Sequence, residues 1–402
     1  MGKAKDGGMT IQHAGNDLAG RSRPAGPIHP ALADFMATGD VTAPAVATFM
    51  AGRTAPLAEP GALTFLWQGE AERIELLRWI NASVDRVPFD RLGDSPLWHA
   101  RVPVQDGGRF EYKMNIVRGG GEDWVLDPMN PHRAGDPFGE NSVAMTHGYT
   151  RPDWSMDQGA PHGDVRDIDV VSEVFGHVRR EKVYLPHGYD PRARYPLVIV
   201  HDGGDYDAFA DLTTSLDNLI ASEVIPPVIA ALIQTRDRID EYPRGRRHAR
   251  YVVGELLPAL TDACAISGDS RDRVLLGASL GAVASLSTAY RYPGTFGGLI
   301  LKSGSFILDR DKLTGRTHKV FHRTARLVQV MRRAPALDGV RAFISTGELE
   351  GLASDNRALA KMLRLRGIEV LFQSTWDGHH WHNWRDQLRD ALIWVLGADR
   401  KP

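Results

Sequence analysis

Val274-Leu275-Leu276-Gly277-Ala278-Ser279-Leu280-Gly281-Ala282-Val283-Ala284 decides how the rest of the chain is read. An apolar run suited to a buried strand ends in Gly-x-Ser-x-Gly, and the residues from Ala282 to Tyr292 are rich in helix formers. A strand that turns sharply into a helix with a serine at its tip is a nucleophile elbow. Glycine is expected at 277 and 281 because the tip is strained and its neighbours approach closely. The turn projects the Ser279 hydroxyl away from the sheet. It also puts the Leu280 N–H at a helix start, where it can receive a developing oxyanion. Alone, the pattern also fits an ordinary strand–loop–helix joint, so its partners must be found elsewhere.

Outward from the elbow, apolar strands alternate with helices. Residues 170–175 and 180–185 read as an antiparallel pair, followed by strands at 195–200 and 228–233 with a helix over 211–223 between them. A helix over 247–262 has Pro258 as a kink or early stop. Beyond the elbow come strands at 298–302, 341–346 and 369–375, with helices near 320–333, 355–366 and 383–396. This alternation predicts a mainly parallel sheet with helices on both faces, and an active site beyond the carboxyl ends of the strands. The expected architecture over residues 161–402 is an α/β hydrolase.

A serine hydroxyl needs a histidine base, itself oriented by a carboxylate; in this fold they follow the serine in the order acid, then histidine. Two strands past the elbow the chain reads Thr346-Gly347-Glu348-Leu349-Glu350, and the next strand ends in Trp376-Asp377-Gly378-His379-His380-Trp381-His382. Glu350 is the preferred acid, with Glu348 and Asp355 as alternatives. His379 is the preferred base and His380 the alternative, while His382 starts a helix. A metal site built from the three histidines has no separate carboxylate motif to support it, and the chemistry requires no metal or organic cofactor. The second oxyanion donor is expected in His201-Asp202-Gly203-Gly204-Asp205-Tyr206, from Gly204 or Asp205 beside Leu280.

The first part of the chain has a different texture. Short strands at 63–67, 73–80, 97–104 and 109–117, separated by glycine-rich turns, predict an all-β sandwich over residues 29–160. Asp127-Pro128-Met129-Asn130-Pro131-His132 is expected to close it, with a linker running to about Gly163. Residues 1–28 read as a flexible lead-in. The aromatics Trp67, Trp98, Tyr112 and Trp124 fit sandwich core, or else a ligand platform. A net charge of −2 makes no case for nucleic acid or an anionic membrane, and one cysteine, Cys264, excludes an internal disulfide. With no transmembrane-length apolar stretch and no secretory signal core at Met1–Met9, a cytoplasmic protein is expected. The oligomeric state is left open.

The ordered set of motifs resembles the enterochelin (enterobactin) esterase family, within the esterase D-like α/β hydrolases. The likeness rests on Phe65-Leu66-Trp67, Asp127-Pro128-Met129-Asn130-Pro131, Val183-Tyr184-Leu185-Pro186, His201-Asp202-Gly203-Gly204, Arg238-Ile239-Asp240-Glu241-Tyr242, Glu255-Leu256-Leu257-Pro258, the elbow, and Gly378-His379-His380-Trp381. It implies Ser279 as nucleophile, His379 as base and Glu350 as orienting acid. It also implies a small-molecule ester substrate such as the trilactone of a ferric catecholate siderophore. Tyr206, Arg238 and Trp381 are then expected to bind that aromatic, anionic ligand. His380 stands where the family usually has an acidic residue, and Ala282 where a second glycine commonly follows; both allow a shifted substrate range. Related two-domain enzymes act on feruloyl or acetyl esters of polysaccharides, and a non-catalytic binding protein on the same scaffold is the remaining alternative.

Overall fold

Side chains alternate across a strand, so a strand covered on both faces must be apolar at every position. That is the condition of the central strands here. The computed structural model describes residues 28–80, 83–308, 319–334 and 337–397; the lead-in expected over 1–28 lies, save its last residue, outside them. Its large sheet comprises β1 (Asp164–Ser172), β2 (His177–Leu185), β3 (Leu197–His201), β4 (Ile229–Ile233), β5 (Arg273–Ala278), β6 (Gly298–Lys302), β7 (Arg341–Gly347) and β8 (Glu369–Thr375). The strand order is β1-β2-β4-β3-β5-β6-β7-β8. Pairing is antiparallel across β1, β2 and β4 and parallel from β4 onward.

Alternate residues feed two separate apolar layers. Ile199, Leu275, Leu299 and Ile344 pack with Val283 and Leu286 of the post-elbow helix on one face. Val198, Val200, Leu276, Ile300 and Phe343 pack with Leu216, Leu219, Leu388 and Leu392 on the other. Each such fully buried aliphatic side chain contributes about 1.5–3 kcal/mol relative to exposure. The result is an α/β-hydrolase sheet whose parallel strands all end on the same side.

Several boundaries differ from the sequence reading for local reasons. The first hairpin turns at Gly176 (φ 74°), so β1 ends at Ser172 and starts as early as Asp164. The helix expected over 211–223 is found as Leu212–Ala221, and a further helix, α1 (Gly203–Ala210), precedes it, the two separated at Asp211 in the left-handed region (φ 49°). Pro258 does not stop its helix early; the helix runs on to Ala263. A wider π turn over Val252–Leu256 precedes it, so its missing N–H falls near the start of the segment Leu257–Ala263. The C-terminal helix begins earlier, as α2 (Trp381–Asp386), and breaks at Gln387 before Leu388–Leu396. The post-elbow helix, Leu280–Arg291, runs uninterrupted.

Two antiparallel sheets precede this unit. One holds Leu57–Glu59, Ala62–Gln68, Leu97–Pro103 and Asp90–Arg91; the other is built on Arg73–Ile80 and Arg109–Arg118. Leu63, Phe65, Trp67 and Trp98 of the first share a core with Leu76, Phe110, Tyr112 and Met114 of the second, so these sheets form a sandwich. Of the four aromatics noted above, Trp124 alone is exposed, at 49%. The sandwich does not close at His132. Buried Asp127 accepts hydrogen bonds from Tyr112 Oη (2.6 Å) and Met129 N (2.8 Å), and Asn130 Nδ2 donates to Val143 O (2.7 Å). The double-proline segment is thus a pinned turn, and strands Arg133–Asp136 and Gly139–Met145 return to the second sheet. Two unexpected short helices, Pro30–Ala37 and Ala43–Met50, cover the first sheet through Leu32, Val46 and Phe49.

Candidate active site

At the end of β5, Ser279 has φ 55° and ψ −119°, a combination that costs a non-glycine residue about 1–3 kcal/mol. A Cβ on Gly277 would lie 2.3 Å from the carbonyl carbon of Gly281, so the strand can meet the helix this closely only with glycine there. Gly281 has slightly more room, with His201 Cβ 3.1 Å from where its own Cβ would stand. Ser279 N donates to Lys302 O (2.9 Å), extending the β5–β6 pairing to the tip, and Ser305 N donates to Ser279 O (3.1 Å). The Ser279 hydroxyl, in a residue 8% exposed, is hydrogen-bonded to the Ser305 hydroxyl at 3.1 Å. Among the described residues no hydrogen bond joins it to an imidazole.

Glu350 and His379 meet across the ends of β7 and β8. His379 Nδ1 lies 2.5 Å from Glu350 Oε2. Glu350 is 4% exposed, and its other oxygen accepts from Gly347 N (2.6 Å) and Thr346 Oγ1 (2.7 Å). Burial pushes this carboxyl up, but His379 and the hydroxyls of Ser303 and Thr346 outweigh it and hold Glu350 below its ordinary range. An ionised carboxylate only accepts, so Nδ1–H is the donor and Nε2 keeps its lone pair for a proton. The alternatives lie elsewhere. Glu348 is exposed and accepts from Ser374 Oγ (3.0 Å), and Asp355 accepts from Leu308 N (3.3 Å). His380 turns to Glu111 of the sandwich, Nδ1 to Oε2 3.3 Å. The neighbouring imidazoles therefore diverge, and among the described residues no three His, Cys, Asp or Glu side chains are arranged to hold a metal ion.

The segment Ser303-Gly304-Ser305 joins the two halves. Ser305 touches the Ser279 hydroxyl, while Ser303 Oγ accepts from Trp384 Nε1 (2.9 Å) and lies beside Glu350. The His379 ring stands edge-on to Trp384, ring centres 5.0 Å apart. Asn356 fixes the segment by bonding both Gly304 N and Gly304 O at 2.9 Å. Neither Ser303 nor Ser305 was singled out in the sequence. The available signal was a polar Ser-Gly-Ser at the end of a buried parallel strand.

On the opposite side of the elbow, β3 ends in a loop built to a fixed shape. Asp202 adopts φ 54°, and its side chain, 2% exposed, accepts from Tyr242 Oη (3.0 Å) and Arg238 Nη2 (2.9 Å). Gly203, Gly204 and Asp205 form the first turn of α1, where backbone N–H groups have no intrahelical acceptor. Gly204 and Asp205 lie beside Gln234, whose Nε2 donates to Asp205 Oδ2 at 3.2 Å. Leu280 N occupies the equivalent place at the start of the post-elbow helix.

Of the residues expected to bind substrate, Trp381 is half-buried and rests on Phe209 and Trp384, ring centres 6.0 and 4.8 Å away. Tyr206 is fully buried beneath it, edge-on at 5.2 Å, and therefore supports the tryptophans instead of facing a ligand. Its position in the first turn of α1 aims its ring inward, which a loop reading of Gly203–Tyr206 did not anticipate. Arg238 is committed to Asp202, so much of its charge is neutralised inside the protein.

Among solved structures, the ferric enterobactin esterase of Salmonella typhimurium has the same fold, with a TM-score of 0.69 over 83% of this chain and 93% of that one at 19% identity. An iron(III) enterobactin esterase of Dickeya dadantii (strain 3937) is 24% identical over 390 residues, 84% of this chain and 88% of that protein. The uncharacterized protein YjcH of Bacillus subtilis (strain 168) is 24% identical over 247 residues, 58% of this chain and 98% of that protein. The family model described as putative esterase matches residues 172–395, from the end of β1 through nearly all of the last helix, and the chain belongs to that esterase family.

Proposed function

We propose that this protein is a serine esterase that cleaves carboxylic esters through an acyl-enzyme. The observation that carries the reading is the 2.5 Å contact between His379 Nδ1 and buried Glu350 past the ends of β7 and β8, on the same side of the sheet as the strained Ser279 elbow at the end of β5. When an ester enters, the Ser279 hydroxyl leaves Ser305 and turns to His379 Nε2, which takes its proton as Oγ attacks the carbonyl carbon. Glu350 stabilises the imidazolium. The N–H groups of Leu280 and of Gly204 or Asp205 receive the oxyanion. Collapse expels the alcohol, which takes its proton from His379. Water, deprotonated by the same ring, then hydrolyses the acyl-enzyme.

The substrate we favour is a siderophore-type trilactone of the enterobactin kind. Its support is the name borne by the Dickeya relative and the aromatic surface of Trp381 and Phe209 near the base. The test is hydrolysis of enterobactin, feruloyl, acetyl and p-nitrophenyl esters by wild type and Ser279→Ala. The reading expects trilactone opening that vanishes in the variant. Equal activity of the two proteins refutes the serine mechanism, and turnover of feruloyl or acetyl esters alone refutes the substrate.

A further inference from the structure

The histidine loop is held from the far side by the sandwich. Arg109, on the strand Arg109–Arg118, is 1% exposed, and its Nη1 lies 3.1 Å from Asp377 Oδ2. Its Nη2 donates to Glu111 Oε1 (3.0 Å), and Glu111 Oε2 accepts from Asn141 Nδ2 (2.9 Å) and lies 3.3 Å from His380 Nδ1. Asp377 and His380 are the residues on either side of Gly378-His379. The chain of contacts Asp377–Arg109–Glu111–His380 therefore closes a ring over the backbone that carries the base.

The backbone is gripped as well. Arg109 N donates to Trp376 O (3.2 Å), and a Cβ on Gly108 would stand 2.4 Å from that same oxygen. On the opposite side a Cβ on Gly347 would stand 2.3 Å from Asp377 O. Within the loop, Gly378 N donates to Asp377 Oδ1 (2.6 Å) and Asn383 Nδ2 donates to Gly378 O (2.8 Å). Asp377 thus uses one oxygen to set the peptide before the base and the other to reach the sandwich. A planar guanidinium spanning two carboxylates fixes direction as well as distance, which a lysine ammonium cannot do.

We infer that Arg109, Glu111 and His380 are positioning residues for catalysis, so that the sandwich takes part in the reaction by fixing where the His379 imidazole stands. The inference rests on the reading of Ser279 as nucleophile and His379 as base. A base displaced by about 1 Å loses on the order of 10²-fold in rate, while substrate binding through other contacts is little changed.

The test uses the whole 402-residue chain with p-nitrophenyl acetate, rates being expressed per folded chain and measured well below each variant's own melting temperature. Arg109→Lys and His380→Asn are each expected to lower kcat at least tenfold with KM within threefold of wild type. Arg180→Met, which breaks an exposed contact to Asp169 on the edge hairpin of the large sheet, should keep kcat within twofold. If Arg109→Lys does not fold, His380→Asn decides, because that change removes only one contact of the ring. A folded variant of either residue with kcat within twofold of wild type overturns the inference. If Ser279→Ala is as active as wild type, the proposed function itself has failed; if it is inactive while both ring variants retain kcat, the positioning role alone is wrong.

Discussion

Replacing Glu350 by Gln keeps shape and volume but removes the charge that, in the proposed mechanism, orients the base. In the wild type, Oε1 is saturated by Gly347 N and Thr346 Oγ1, so Oε2 is the oxygen left for His379 at 2.5 Å. A glutamine seated in the same way keeps its oxygen on those two donors and turns its NH₂ toward Nδ1. That nitrogen must then become an acceptor, which moves the ring proton to Nε2, the atom that should receive the Ser279 proton. Loss of the orienting carboxylate in a serine triad costs about 10⁴-fold in kcat, or roughly 5 kcal/mol of transition-state stabilisation. The expected result is kcat lower by about 10³–10⁴ with KM nearly unchanged, read from steady-state hydrolysis of p-nitrophenyl acetate. Stability supplies an independent readout. Because the folded-state carboxyl of Glu350 is depressed, it stabilises the protein above its unfolded value near 4.5, and that contribution fades as pH falls through the lower folded value. The melting-temperature gap between wild type and Glu350→Gln should therefore be widest near neutrality and close in acid. A variant with kcat within tenfold of wild type refutes the assignment of Glu350.

Two further substitutions probe the surroundings. Arg238→Met leaves the buried Asp202 carboxylate with Tyr242 as its remaining side-chain donor, and should destabilise the protein by about 2–3 kcal/mol, below the range for fully buried pairs because the Arg238 side chain is 36% exposed. A stable variant whose only defect is a raised KM would show instead that the arginine serves the substrate. Ser305→Ala removes the resting partner of the proposed nucleophile; since a neutral hydrogen bond is worth about 1 kcal/mol, kcat/KM should change by roughly fivefold, with a melting temperature lowered by only a few degrees. A change of a hundredfold or more would place Ser305 in the chemistry itself.

How far the sequence could be read follows from the range over which each feature is determined. The elbow is local: glycine, strain and helix start lie within five residues, and the packing of Gly277 on Gly281 is settled by covalent geometry. The parallel strands announce themselves because burial on both faces forces apolarity at successive positions. The order of carboxylate and histidine along the chain follows from that alternation, and the structure brings Glu350 and His379 together at the ends of adjacent strands. Tyr206 and Arg238 were harder, since their roles depend on which way α1 and the segment near Tyr242 face. Tyr206 turns into the aromatic core, and Arg238 turns onto Asp202. The sandwich was carried past His132 by a turn whose anchors, Tyr112 and Val143, lie well outside it in sequence. The contact between Arg109 and Asp377 spans 268 positions, and no pattern of spacing or composition announces such a pair.

The most direct test of the account is covalent trapping of the nucleophile. A fluorophosphonate added to the wild-type protein is predicted to modify Ser279 alone, one label per chain by intact mass and peptide mapping, with ester hydrolysis lost in proportion. Labelling should be absent in Ser279→Ala and slowed by at least a hundredfold in His379→Ala. A label on another residue, or full ester hydrolysis by protein whose Ser279 is blocked, would contradict it.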